Sequence, residues 1–350
     1  MGGKSAMRKW WLVVLSMVLL LGYGMVLRYC SPPITEKPQQ ATETTVAPMF
    51  SGETEVVTMP TQTFPEETQT HEEPRSTMAA VSNKPEVKSN YQLTARNAFV
   101  YDCATGELIF TKGDMDKQIA PASLTKLFTS YVALQYLDPD TIVTCGEETT
   151  WIVPASSVAW VNPGDKVPVE TLIRGMMMQS GNDAAYALAV AAGRALAENP
   201  QMGAKKALAV FMEEVNVQAQ MLGLTGTHFA TPDGLDTFDH YTTARDMLRI
   251  ALLAMEHPVL RHCSSLTQTS VMYDTGETYT YRSTNYLLLP ESRYYCADAC
   301  GMKTGTTKKA GSCLISLFYN GDRYILIGVF GCPQNEDRFV DALQLYALYG

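Results

Sequence analysis

A serine hydroxyl attacks a carbonyl well only when a base removes its proton, and Ser123 has a lysine three residues further on, in Ser123-Leu124-Thr125-Lys126. On a helix, positions i and i+3 share a face, so this spacing can bring the Lys126 amine to the Ser123 hydroxyl. Pro121 suits the helix start, where free backbone N–H groups favour developing negative charge. Lys126 can act as a base only while neutral. Burial among Leu124, Leu127 and Phe128 disfavours its charged form, and a second ammonium nearby, for which Lys303 is the candidate, disfavours it further. Two other short patterns complete the set, Ser180-Gly181-Asn182 and Lys303-Thr304-Gly305. Each is weak alone. S-x-x-K arises about once by chance in a chain of this length, and Ser-x-Asn occurs twice here, since Ser283-Thr284-Asn285 also fits. A solvated helix lysine, a turn between helices and a strand-edge charge would explain the three separately. Their joint occurrence, in this order and on these elements, is poorly explained by such separate causes.

The elements that must position them can be read from periodicity. ARNAFVYDCATGELIFTKG predicts two short strands about a turn at Thr105-Gly106. PASLTKLFTSYVALQYL has apolar residues at 124, 127, 128, 131 and 134, the spacing of a helix with one buried face. Residues 168–222 and 242–256 read as mostly helical, with Leu208, Phe211, Val215, Ala219 and Leu222 as one stripe. SCLISLFYNGDRYILIGVFG predicts a hairpin with Asn320-Gly321 at its tip, and a last helix carries Phe339, Leu343 and Tyr346 on one side. Strands first, helices in the middle and strands plus a helix at the end imply an antiparallel sheet whose first and last strands meet around a helical insertion.

The three patterns in this order resemble the motifs of penicillin-binding proteins and serine β-lactamases. Their surroundings, PASLTKLFTS, QSGNDAA, HYTTARDM and GMKTGTTKKAG, resemble the low-molecular-weight D-alanyl-D-alanine carboxypeptidases over residues 91–350. The resemblance implies an α+β fold of the transpeptidase type, an antiparallel sheet flanked by helices with an all-helical subdomain. It implies a serine DD-carboxypeptidase that removes the terminal D-Ala from peptidoglycan stem peptides ending in D-Ala-D-Ala and is inhibited by β-lactams. Residue by residue, Ser123 would form the acyl-enzyme, Lys126 would take its proton, and Ser180 would relay a proton to the leaving amine. Asn182 would hold the substrate amide and orient Lys126. Lys303 and Thr304 would receive the terminal carboxylate, Gly305 would let the substrate backbone approach the strand, and the N–H groups of Ser123 and Thr306 would form the oxyanion hole. No metal or cofactor is implied. A β-lactamase is the rival enzyme, although no E-x-x-L-N segment lies between 183 and 302. An idle wall-binding module is the rival of another class, but it has no physical need for two lysines at one serine. Cutting a cross-link instead of trimming a terminal residue would use the same site.

The net charge of −9 argues against a nucleic-acid surface. Residues 1–9 carry Lys4, Arg8 and Lys9, and residues 10–27 follow without a charge. As a helix that run spans about 27 Å, close to a bilayer core. The basic flank predicts a cytoplasmic N-terminus at 1–9 and a signal-anchor at 10–28, with the remainder outside the cell membrane. A cleaved signal peptide is the alternative, for which no A-x-A-like site is visible. Residues 29–90, rich in Thr, Pro, Glu and Gln, read as a disordered stalk giving reach to a catalytic domain at 91–350. Many relatives carry a further C-terminal β-domain and amphipathic anchor, whereas this sequence stops soon after its last helix, so the expected tether is N-terminal. Seven cysteines in 91–350 leave at least one thiol unpaired and the pairing open. His228, His240, His257 and His262 lack metal spacing and read as structural, while Asp183 and Arg245 read as packing or capping residues.

Overall fold

The computed structural model of the chain describes residues 91–350, so the segments read at 1–9, 10–28 and 29–90 lie outside the described residues. Strands β1 (Asn97–Asp102), β2 (Glu107–Lys112) and β3 (Gln118–Ile119) lead into a 3₁₀ turn at Ala122–Leu124 and helix α1 (Thr125–Ala133). The insertion follows: β4 (Ile142–Thr144), β5 (Lys166–Pro168), α2 (Val169–Arg174), a π turn at Gly175–Gln179, α3 (Asn182–Leu196) and α4 (Ala204–Met221). Next come β6 (Thr242–Thr243), α5 (Ala244–Glu256), α6 (Pro258–Ser265), β7 (Gln268–Met272) and β8 (Thr278–Arg282). The chain closes with β9 (Ala299–Thr307), β10 (Gly311–Tyr319), β11 (Tyr324–Cys332) and α7 (Asp337–Tyr349).

The main sheet runs β2-β1-β11-β10-β9, antiparallel throughout. First and last strands do meet, from Asn97↔Phe330 to Asp102↔Ile325. Successive residues alternate between two cores, as the period of a strand requires. Ile325, Ile327 and Val329 join Phe318, Phe339, Leu345 and Tyr346 on one side, where Phe318 stacks on Tyr346 at 4.3 Å. Leu326 and Phe330 face the other side with Phe99, Ile315, Leu317 and the helical insertion. The hairpin tip is at Asn320-Gly321, its Asn320 side chain accepting from the N–H groups of Asp322 and Arg323. The α+β transpeptidase-type fold expected from the sequence is the fold observed. All seven cysteines of the described residues are free thiols.

Helix α1 departs from expectation. It is enclosed all round by α3, α4, α5 and α6 and by its own polar neighbours, so Lys126, Thr129 and Ser130 are buried along with Leu127, Phe128 and Val132. Tyr131 and Leu134, read as part of a single buried face, are only half-buried. In the α4 stripe Phe211, Val215 and Ala219 are buried, Leu208 is half-buried, and Leu222 lies exposed just past the helix end.

Candidate active site

The Lys126 amine stands 2.9 Å from Ser123 Oγ. It also donates to Asn182 Oδ1 at 2.8 Å and to the Asp233 carbonyl at 2.7 Å. Burial lowers its pKa from 10.5 to about 8, against the opposing pull of the Asp233 and Asp183 carboxylates. A neutral amine keeps two N–H donors for Asn182 and Asp233 and turns its lone pair to the Ser123 hydroxyl. Ser123 is half-exposed while Lys126 is sealed. That pairing suits a nucleophile open to a substrate and a base kept from water.

Ser123 sits on a strained turn. Ala122, just before it, has φ 51°, a region that alanine rarely enters. Two features hold it there. Thr125 Oγ1 donates to the Ala122 carbonyl at 2.8 Å and lies 2.9 Å from His240 Nε2. His240 Nδ1 accepts from the N–H groups of Ala230 (3.1 Å) and Thr231 (3.3 Å), so the ring proton belongs to Nε2 and is donated to Thr125. Gly234 presses on the same carbonyl: with φ 90°, a Cβ there would fall 1.9 Å from Ala122 O. His240 was read as structural, and this is the structure it supports.

Burial, aided by His228 and opposed by Asp233, Asp236 and Asp239, lowers the His240 pKa from 6.5 to about 4. The unfolded chain therefore binds an extra proton between those values. Stability from neutral His240 is complete above about pH 6.5 and is lost as pH falls toward 4, by on the order of 3 kcal/mol. Urea unfolding at pH 7 and pH 4.5 should show this loss in the wild type and a smaller one in His240→Gln. Equal losses would assign the acid sensitivity elsewhere.

Ser180 and Asn182 flank the other side of Lys126. Ser180 ends the π turn with φ 61° and ψ 29°, buried at 7% exposure, and Asn182 opens α3. The Asp183 carboxylate accepts from the N–H groups of Ala159 (2.8 Å), Val161 (2.9 Å) and its neighbour Ala184 (2.9 Å), which ties a distant loop to this corner. Arg245 pairs with Asp116 at 2.6 Å on the surface. The second Ser-x-Asn pattern is structural: Asn285 is buried and donates to the Gly301 carbonyl and Ser316 Oγ.

Strand β9 is an edge of the sheet and brings the third pattern against the turn that holds Ser123. A Cβ on Gly305 would lie 3.1 Å from Ser123 N and from the Ala122 Cβ, and 3.2 Å from Leu124 N. The absent side chain thus gives room to the Ser123 turn itself, a different reason from the substrate approach inferred from sequence. Thr304 Oγ1 is 2.7 Å from Thr284 Oγ1, and Thr306 is exposed. Lys303 is fully buried, its amine donating to the Thr304 carbonyl at 2.9 Å. Burial first, then the positive charges of Lys126 and Arg338, hold its pKa well below the usual lysine range. The repulsion expected between the two lysines therefore weighs on Lys303, and burial is what lowers Lys126.

Sequence reasoning missed Arg338. This α7 residue is 5% exposed and donates to the Gly305 carbonyl (3.1 Å), Thr306 Oγ1 (2.8 Å) and Asn335 Oδ1 (2.5 Å). Among the described residues no carboxylate pairs with it, and its Nε has no hydrogen-bond partner. Burial lowers its pKa only to about 10, so it stays charged at neutral pH. A buried, unpaired guanidinium at the open edge of β9 offers a place for an incoming carboxylate.

Comparison with known proteins shows the family. A sequence profile of the family described as D-alanyl-D-alanine carboxypeptidase matches residues 82–333. The D-alanyl-D-alanine carboxypeptidase DacC of Escherichia coli K12 is 34% identical over 261 residues, 72% of this chain and 60% of that protein. The chain thus spans about three fifths of the length of such relatives. The D-alanyl-D-alanine carboxypeptidase of Streptomyces sp. K15 is 31% identical over 264 residues, covering 72% of this chain and 86% of that one. The crystal structure of the Streptomyces K15 DD-transpeptidase superposes with a TM-score of 0.66 at 29% identity, over 75% of this chain and 99% of that one.

Proposed function

Because the chain belongs to the D-alanyl-D-alanine carboxypeptidase family, we propose that it is a serine DD-carboxypeptidase acting on stem peptides that end in D-Ala-D-Ala. The observation that carries this reading is the Ser123 hydroxyl 2.9 Å from the buried, readily neutral amine of Lys126. Ser123 Oγ attacks the carbonyl between the two D-alanines as Lys126 takes its proton. The tetrahedral oxyanion is held by the N–H groups of Ser123 and Thr306. The C–N bond breaks with a proton delivered to the amine through Ser180, and D-alanine leaves an ester on Ser123. Water then attacks the ester, gives its proton to Lys126 and releases the shortened acid, restoring the serine. Asn182 orients Lys126 and the substrate amide, and Lys303, Thr304 and Gly305 shape the edge that receives the terminal residue.

A β-lactam enters the same route, but its amine stays tethered after ring opening, so the leaving group remains in the site and the ester persists. Mass spectrometry of the intact protein after exposure to benzylpenicillin should show a lasting increase equal to the whole antibiotic, on the peptide containing Ser123. A diacetyl-Lys-D-Ala-D-Ala peptide should release one D-alanine. An adduct on another residue sinks the assignment, and rapid turnover of penicillin would make the protein a β-lactamase.

The uncharged run at 10–27 with its basic flank supports a membrane tether with the catalytic domain outside the cell membrane. The membrane fraction should then hold the full-length chain, with residues 91–350 open to protease only from outside. A soluble form beginning near residue 30 would show instead that the segment is a cleaved signal peptide.

A further inference from the structure

The leaving residue of the scissile bond is held at two points. Its amine takes a proton through Ser180, and its carboxylate meets the Thr304 hydroxyl and the buried guanidinium of Arg338. The Cα between them carries one more group, a side chain that in D-alanine is only a methyl. Beside this position lies a cavity of about 470 Å³. That is far more than a methyl needs and within the range of about 300–1,000 Å³ typical of small-ligand sites. It opens between the same two anchors. Gln179, next to Ser180, forms one lip, and Thr284, whose hydroxyl lies 2.7 Å from that of Thr304, forms the other. The Thr284 N–H donates to the Met178 carbonyl at 3.1 Å, which fixes the two lips to each other. One wall is aromatic: Tyr286 and Tyr294 line it, and both rings stack on Phe339, the neighbour of Arg338, at 5.1 Å and 5.4 Å.

The charges of the cavity are balanced. Arg282 pairs with Glu291 and Arg293 with Glu336, and all four side chains line it. Arg338, by contrast, has no carboxylate partner among the described residues. A carboxylate therefore goes to Arg338, and the cavity is left for a group without net charge. Ring faces flanked by hydroxyls and paired ions suit a chain of methylenes ending in an amide. Its stem lies on the rings while its N–H and C=O meet the polar rim.

We propose that this cavity is the subsite for the side chain of the leaving D-residue, and that it takes long, uncharged, amide-bearing side chains as well as the methyl of alanine. The subsite rests on the carboxypeptidase reading and widens its substrate class. A diamino acid of D configuration at the cleaved amine, acylated on its far amine, fits as the leaving residue. That is the chemistry of a direct cross-link between two stem peptides, and such a residue keeps a free carboxylate for Arg338. Ser123 Oγ displaces the α-amine of this residue, which takes a proton through Ser180. Water then hydrolyses the ester, so one cross-link is cut per turnover.

The test compares kcat/KM for three peptides, diacetyl-Lys-D-Ala followed by D-Ala, by D-Gln or by Nε-acetyl-D-Lys. The wild type should cut all three within about fivefold of one another, whereas a site shaped for a methyl alone would reject the long ones by about 10²-fold. Ser292 is half-buried in the cavity lining, away from the reacting groups. Ser292→Trp should plug the space, lowering kcat/KM on the two long substrates by about tenfold or more and leaving the D-Ala peptide within about twofold of wild type. Retained activity on D-Ala shows that the variant is folded. Should it not fold, Ser292→Gln, a smaller polar plug, should give the same selectivity to a lesser degree. A wild type that cuts the D-Ala peptide but rejects Nε-acetyl-D-Lys by about 10²-fold overturns the subsite. So does the absence of a selective loss in the Ser292 variants. Hydrolysis of none of the three by the wild type overturns the carboxypeptidase reading as well, so the two failures are separable.

Discussion

Lys126→Arg should acylate with benzylpenicillin on the order of 10³ times more slowly than the wild type, in the range set by losing a general base. The variant keeps the positive charge and can still donate to Asn182 and Asp233, so orientation alone predicts a small defect. A guanidinium, however, does not give up its proton in proteins. The wild type supplies the complementary test through pH. With a lysine pKa of about 8, the neutral fraction, and with it the acylation rate, should rise about tenfold per pH unit below that value and level off above it. Stopped-flow acylation from pH 6 to 10 would show this limb, and Lys126→Arg should lack it. Retention of more than about a tenth of the wild-type rate, a loss below roughly 1.4 kcal/mol, would mean that the base lies elsewhere.

Arg338→Gln should lower kcat/KM on a free-acid D-Ala-D-Ala peptide by about 10²-fold, within the cost of removing one partner of a buried charge pair. The same substrate with its terminal carboxylate blocked as an amide should be a poor substrate for the wild type and barely worse for the variant. Non-additivity of the two defects is the signature, because both remove the same contact. Lys303→Gln should behave alike but adds a second cost, since Lys303 is wholly buried and its replacement must fill that space. Equal wild-type activity on acid and amide would refute carboxylate anchoring. It would move the reading toward cutting cross-links, where the residue beyond the scissile bond continues into another chain.

Much of the architecture was legible because it depends on local signals. An Asn-Gly pair between alternating apolar runs gives the β10–β11 hairpin, and i, i+3 spacing puts Lys126 beside Ser123. What escaped depends on distant parts of the chain. Nothing near Arg338 in sequence marks it, and it reaches Thr306 only because α7 packs back against β10 and β11, beside the β9 edge. His240 meets Thr125 across 115 positions. The left-handed Ala122 could not be foreseen, since alanine signals no such conformation and the strain is imposed by Thr125 and Gly234. Gly305 was recognised as necessary, but its purpose required knowing that the edge strand lies against the turn that holds Ser123. Helix α1 looked amphipathic because its polar residues are small apart from Lys126, whose burial costs least while the amine is neutral or fully hydrogen-bonded.

The adjacency of β1 and β11 also dictates an order of events in folding. Val100 pairs with Ile327, so closing that ladder requires the whole helical insertion to have been made and brought back. Such non-local pairing raises contact order and slows folding, because loop-closure entropy must be met before the pairing rewards it. Until the final strands arrive, β1 and β2 form only a hairpin, which by itself is marginally stable in water and has an unpaired, apolar edge. A chain truncated before β11 would leave the β1 edge without its partner strand. The insertion bearing Ser180 and Asn182 thus supplies one wall of the site around Lys126 and is also the length of chain that must be spanned before β1 and β11 can pair.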